Sequence, residues 1–93
     1  MFTTSIDNIP SLQTWSVTPN PFQNILNVDI IVTENIDIEI ELTDVAGKAI
    51  FSKKINIQES NSQTIDTEKL ETGIYFLNLR SENGVVSRKV VKN

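Results

Sequence analysis

Three carboxylates at alternate positions, Asp37, Glu39 and Glu41, are the first candidates for chemistry in this sequence. Carboxylate oxygens are ligands that Ca²⁺ prefers, so such a row could bind calcium. Alternate residues of one strand, however, lie about 6.5–7 Å apart, whereas a calcium site needs ligands that converge from loops. We therefore expect a solvated strand face here, and we predict neither a metal site nor a cofactor.

The side chains most often used in catalysis near neutral pH are missing, because the sequence contains no histidine and no cysteine. The absence of imidazole removes the commonest general base and metal ligand. The absence of cysteine removes thiol nucleophiles, disulfides and thiolate metal sites. Catalysis would need carboxylates, lysine or tyrosine alone, and we predict that the chain is not an enzyme.

The charge and length of the chain restrict its partners further. With 12 acidic and 8 basic residues, the 93-residue chain has a formal net charge of −4, which does not favour nucleic acid or an anionic membrane. No apolar run reaches the ~18–20 residues of a membrane span, and the start does not read as a signal peptide. We expect one domain, and if the protein is exported, its leader must lie elsewhere and the piece is an excised domain.

Alternating apolar and polar residues predict the strands of this domain. Residues 1–14 lack any periodicity and are interpreted as a linker, so the domain is predicted over residues 15–93. Strands are predicted near residues 15–18, 26–33, 36–42, 48–57, 64–66, 74–80 and 85–92. The strand 48–57 is placed at a sheet edge, and 58–63 is predicted as a polar loop. About seven short strands without a helical stripe predict an all-β, immunoglobulin-like antiparallel β-sandwich.

Three residue patterns predict the turns between these strands. Asp44 and Gly47 suit a type I turn that closes a hairpin, and Asn83 before Gly84 marks a second reversal. Leu70, Gly73 and Tyr75 have the spacing of a tyrosine corner, in which the hydroxyl returns to the backbone just upstream. The alternative is a simple core aromatic, and both readings are structural.

Aromatic residues and prolines lie together near the start of the domain. Pro19 and Pro21 cannot donate backbone hydrogen bonds, and they force extended conformations on the residues before them, including Asn20. Trp15 and Phe22 could form a sugar-stacking surface, but we expect them to cover the core instead.

Cations are concentrated at the other end of the chain, at Arg88, Lys89 and Lys92. This tail is either an ordinary solvated strand or a basic handle for an acidic receptor. Sequence position does not decide between the two.

Four segments in this order, 19–22 (PNPF), 42–48 (LTDVAGK), 70–75 (LETGIY) and Gly84 followed by 89–92 (KVVK), carry a family resemblance. Together they resemble the type A C-terminal sorting domain of the Bacteroidetes type IX secretion system, over about residues 15–93. The resemblance implies a cleavable targeting signal at the C-terminal end of a secreted cargo protein. An outer-membrane translocon would recognise it during export from the periplasm to the cell surface. A cysteine-protease sortase would then remove it and attach the cargo to lipopolysaccharide.

The resemblance also implies roles for individual residues. The recognised end would consist of Gly84, Lys89, Val90, Val91 and Lys92. The fold would be shaped by Pro19, Asn20, Pro21, Asp44, Gly47, Leu70, Gly73 and Tyr75. Cleavage would fall within or ahead of residues 1–14, and the domain itself would be a monomeric substrate.

Two other functions stay open at this stage. One is a fibronectin-like accessory module that binds carbohydrate or the cell surface, and the other is a structural spacer. For the sorting function, we expect the final hairpin to present an open strand edge and a basic end. We also expect deletion of residues 90–93 to leave the fold largely intact, because chain ends fray.

Overall fold

A computed structural model describes residues 9–93, which form seven antiparallel strands and no helix. The strands are β1 (Leu12–Thr18), β2 (Ile25–Val32), β3 (Ile36–Asp44), β4 (Ala49–Ile57), β5 (Ser60–Asp66), β6 (Gly73–Ser81) and β7 (Gly84–Lys92). The prediction of an all-β fold with about seven strands is confirmed. Since this part of the chain lacks helices, it contains none that could cross a membrane.

The strands form two sheets, one with the order β1-β2-β5 and the other with the order β4-β3-β6-β7. The chain changes sheet between β2 and β3, between β4 and β5, and between β5 and β6, as expected for an immunoglobulin-like sandwich. β4 lies at an edge, as predicted. β3 lies between β4 and β6, so its acidic row does not protect an edge.

The core follows from alternation along the strands. In β3, Ile38, Ile40 and Leu42 are at most 1% exposed, while Asp37 points to solvent. The opposite sheet contributes the matching inward residues of β2. The buried apolar residues are Ile9, Val17, Phe22, Leu26, Val28, Ile30, Val32, Ile38, Ile40, Leu42, Ile57, Ile65, Tyr75, Leu77, Leu79 and Val90.

The folded unit begins earlier than residue 15. β1 starts at Leu12, and Ile9 is only 1% exposed because it packs into the core. Of the segment interpreted as a linker, residues 1–8 lie outside the described residues. β5 is also longer than predicted and begins at Ser60. Its early residues are polar and pair with β2, so no apolar alternation marks this part of the strand.

Two tight hairpins organise the four-stranded sheet. In the β3–β4 turn, the Gly47 amide donates to the Asp44 carbonyl at 3.0 Å, and Gly47 has a φ of +87°. The Asp44 carboxylate accepts from the Ala46 and Lys48 amides at 2.9 Å each. β6 and β7 are joined at the Ser81–Gly84 pair through two intervening residues. Both predicted reversals are therefore present.

Candidate functional site at the end of the last strand

The Asn20 side chain binds the outer edge of β7 in the manner of a neighbouring strand. Its Oδ1 accepts a hydrogen bond from the Val91 amide at 3.0 Å, and its Nδ2 donates to the Lys89 carbonyl at 3.3 Å. Residues 19–22 thus hold the C-terminal strand from a position about seventy residues earlier in the chain. The Thr18–Pro19 and Asn20–Pro21 peptide bonds that flank this segment are both cis.

The backbone of Phe22 continues this pairing toward the end of the chain. The Phe22 amide donates to the Val91 carbonyl at 2.8 Å, and the Asn93 amide donates to the Phe22 carbonyl at 2.9 Å. Phe22 and Lys92 form a parallel bridge. Hydrogen bonds from residues 20–22 therefore cover the outer edge of β7 between Lys89 and Asn93.

We expected the final hairpin to present an open strand edge, but hydrogen bonds from residues 20–22 close the second half of the β7 edge. Since Val91 turns its backbone groups outward, Val85 and Ser87 do the same in an antiparallel ladder. Those outward groups have no partner within residues 9–93. The open part of the β7 edge is its first half, and the basic second half is closed.

Lys92 is buried, with 6% of its surface exposed. Its ammonium group donates to the carbonyl of Gln23 and, at 3.0 Å, to the carbonyl of Thr67. It also lies 6.0 Å from the centre of the Phe22 ring. Lys92 consequently fastens the strand end to two loops, and the expectation that residues 90–93 fray is wrong. The interpretation of Lys92 as part of an exposed basic handle is wrong for the same reason.

The other residues of the predicted recognised end divide into two groups. Val90 is 1% exposed and belongs to the core, whereas Lys89 is exposed and Val91 half-buried on the outer face of the sheet. Gly84 begins β7, roughly 26 Å from Lys92 at the usual rise of a strand. The structure therefore brings 89–92 together and leaves Gly84 at the opposite end.

A tyrosine corner forms the wall beside Lys92. The Tyr75 hydroxyl donates to the Glu71 carbonyl at 2.6 Å, which confirms the predicted corner. Leu70 packs against the core, and Gly73, which pairs with Lys92, has a φ of +153°. The Tyr75 ring is tilted against the Phe22 ring at a centroid distance of 6.0 Å.

The aromatic residues near the start do not form a shared stacking surface. Phe22 is fully buried, and Trp15 is partly covered by the Arg88 guanidinium, 4.5 Å from its ring centre. Their packing against the core agrees with the expectation that they cover it. A sugar platform built from both rings is ruled out by this geometry.

The carboxylates of the acidic row are engaged across the sheet. Glu41 pairs with Arg80 at 3.0 Å, and Glu39 accepts from the Ser52 hydroxyl at 2.8 Å. Asp37 accepts from the Asn56 amide at 2.8 Å. Residues 9–93 contain no group of three or more carboxylates, histidines or cysteines that could bind a metal ion. Asp37 is exposed, while Glu39 and Glu41 are half-buried on the outer face of the sheet.

Sequence reasoning missed the acceptors of Lys92 and the part played by Thr67. Thr67 is fully buried, and its hydroxyl donates to the Gln23 carbonyl at 3.0 Å. One available signal was parity, since Lys92 lies two residues after the apolar Val90 and so shares its inward face. The Gln23 and Thr67 carbonyls carry no comparable signal in the sequence.

Comparison with solved structures supports the fold. The chain matches the crystal structure of dimeric latent PorU from Porphyromonas gingivalis with a TM-score of 0.64 and 17% sequence identity. The alignment covers 84% of this chain but only 9% of the PorU chain. No curated protein matches the chain.

Comparison with protein families gives a match over residues 16–93, to the family described as secretion system C-terminal sorting domain. Domains of this family are non-catalytic signals of type IX secretion, carried behind a cargo that they direct toward the outer membrane and cell surface. The match includes all of the strands β2 to β7 and the last three residues of β1. The chain therefore belongs to the family of secretion system C-terminal sorting domains.

Proposed function

We propose that this chain is a cleavable sorting signal that outer-membrane type IX components recognise at the end of β7. The observation that carries the proposal is the fastening of Lys89–Asn93 by residues 20–23, within a chain that belongs to the sorting family. A strand held at its end is presented in one conformation. A receptor that binds it then loses less ordering entropy than it would with a flexible tail.

The residues of the proposed recognised end have different tasks. Lys89 and Val91 point outward from the sheet and would contact the receptor directly. Val90 and Lys92 point inward and hold the strand in place. Gly84 lies too far from the strand end to share one small contact with them, and its task would be to begin the returning strand.

Removal of the domain is the second part of the proposal. Cleavage by a sortase would fall within or ahead of residues 1–14. β1 begins at Leu12 and Ile9 is a core residue, so a bond ahead of Ile9 is the better substrate because cutting there leaves the core intact. Transfer of the cargo to lipopolysaccharide would follow.

The deciding experiment fuses residues 1–93 behind a fluorescent reporter with a periplasmic leader, in a host with type IX secretion. We expect the reporter at the cell surface or in the medium, without the domain by mass spectrometry. A reporter that stays periplasmic, while a known sorting domain exports it, would contradict the proposal. In a host without an active sortase, the exported reporter should retain the domain.

Two variants at outward-facing residues of β7 test the proposed direct contact with the receptor. Lys89→Glu and Val91→Ser should reduce export and leave thermal stability nearly unchanged. Lys54→Glu is the matched control, since Lys54 is an exposed outward residue of the edge strand β4. Equal export of all three variants would contradict recognition at the end of β7.

A further inference from the structure

Three exposed apolar side chains line one shallow groove on the sandwich. Val45, Ile50 and Ile74 are 71%, 39% and 43% exposed, and all three border a groove of about 440 Å³ between the β3–β4 turn and the tyrosine-corner loop. We call these three residues the distal patch. Val91 extends it, since Val91 pairs directly with Ile74 and is half-buried.

The clustering sets these residues apart from the other exposed apolar side chains. Within residues 9–93, Ile25 and Ile31 are each 45% exposed. They lie near opposite ends of β2, roughly 20 Å apart at the usual strand rise. Single exposed apolar residues are ordinary on a protein surface, whereas a contiguous group marks an interaction site.

The distal patch lies at the pole opposite the attachment of the cargo. Ser11, just ahead of β1, lines a cavity together with Glu82 and Asn83 of the β6–β7 turn. β6 runs from the distal patch at Ile74 to that turn, a length of about 25 Å. The described part of the chain therefore enters the sandwich at the far pole, away from the patch.

The rim of the patch indicates the charge of that protein. Lys48 follows the β3–β4 turn, and Lys69 lines the groove. Lys89 pairs with Phe76, two residues along the strands from the pair of Val91 and Ile74. Two carboxylates, those of Asp44 and Glu71, also line the groove, so the three lysines around the patch outnumber its acidic residues by one. This rim complements a surface whose apolar residues are bordered by carboxylates.

We propose that the distal patch docks an apolar, acid-bordered surface of a protein of the type IX machinery, adjoining the contact at Lys89 and Val91. This inference rests on the proposed function and adds the face through which the signal is read. Exposed apolar residues in the middle of a contact supply most of its free energy, while the lysines around them select the partner by charge.

The experiment compares substitutions of matched exposure in the reporter fusion. Val45→Ser and Ile74→Ser should each lower the exported fraction about ten-fold, the effect of about 1.4 kcal/mol of binding. Ile25→Ser and Ile31→Ser should leave export within about two-fold of the unmodified fusion. Lys69→Glu should lower export as well, and Lys54→Glu at the other pole should not.

The outcomes separate this inference from the proposed function. If the unmodified fusion is not exported, the proposed function is wrong, and this inference is wrong as well because it rests on that function. If that fusion is exported and the combined Val45→Ser, Ile74→Ser variant is exported equally, the docking inference alone fails. Should Ile74→Ser lower the melting temperature more than Ile25→Ser, Val45→Ser decides, because its turn side chain is mostly exposed.

Sedimentation of the purified chain tests whether a second copy of the chain binds to the distal patch instead. We expect a monomer, with or without Ile74→Ser. A dimer that Ile74→Ser dissociates and Ile31→Ser leaves intact would assign the patch to a second copy of the chain and overturn the proposal.

Discussion

The Lys92 ammonium donates a hydrogen bond to the Thr67 carbonyl at 3.0 Å, and both residues are buried. Lys92→Met keeps most of the aliphatic volume but leaves that carbonyl without its donor. We expect a loss of about 1–3 kcal/mol in the free energy of unfolding, and a fall in Tm of about 4 °C or more. Urea and thermal unfolding measure both quantities.

The control for this change is Lys89→Met, which removes an exposed lysine from the same strand. Its effect should stay within about 0.5 kcal/mol. Equal stability of the two variants would show that the buried ammonium contributes nothing to the fold.

The Tyr75 hydroxyl gives a second stability prediction. Tyr75→Phe removes the 2.6 Å hydrogen bond to the Glu71 carbonyl but keeps the ring against Phe22. We expect a loss of about 1 kcal/mol with an unchanged circular dichroism spectrum. Tyr75→Leu also removes the ring contact and should cost more. A Phe variant as stable as the original chain would contradict a stabilising role for this hydrogen bond.

Asn20 should control hydrogen exchange at the end of β7. Asn20→Ala removes the acceptor of the Val91 amide, and exchange there should accelerate about five-fold, the factor for about 1 kcal/mol. Amide exchange followed by NMR measures this rate. Asn24→Ala, at another exposed position of the same connection, should leave it unchanged. If both variants exchange alike at Val91, the Asn20 side chain does not close this edge.

Gly47 tests the backbone of the β3–β4 turn. Its φ of +87° is disfavoured for residues with a Cβ, so Gly47→Ala should cost about 1–2 kcal/mol. Gly47→Asn should cost less, because asparagine adopts this region more readily. No atom lies within 4 Å of a Cβ added there, so a steric clash would not account for the loss. Urea midpoints that place Asn below Ala would contradict this explanation.

Truncation after Lys89 should abolish cooperative unfolding. It removes the core residue Val90 and the buried Lys92, and it leaves the Phe22 amide and carbonyl without their partners in Val91 and Asn93. Deletion of Asn93 alone is the control, and it should leave a folded domain with one hydrogen bond fewer. A well-folded Val90–Asn93 deletion, judged by its thermal transition, would contradict the fastening of this end.

Side-chain alternation carried most of the fold prediction. From Ile36 to Leu42 of β3, each inward position is apolar and each outward position is charged, so the strand and its orientation follow from a period of two. β5 gave a weaker signal because its first inward residues, Asn61 and Gln63, are polar and only half-buried. There, pairing with β2 and not burial determines the strand.

The candidate site was less predictable because its contacts join distant segments. Parity places Lys92 beside Val90, but nothing local indicates that the Gln23 and Thr67 carbonyls supply its acceptors. The Asn20 contact depends on how residues 19–22 pass along β7, which is a property of the assembled sandwich. Gly84 and Lys92 lie at opposite ends of β7, so the length of the strand keeps them from forming one site.

The two poles of the sandwich have a mechanical consequence. A passenger pulling on Ser11 while a receptor grips the region around Ile74 would load the domain along its strands. Antiparallel ladders loaded in that direction share the force among many hydrogen bonds at once, whereas bonds pulled apart from one end break in succession. The folded domain would therefore resist unfolding while a bulky cargo pulls on it.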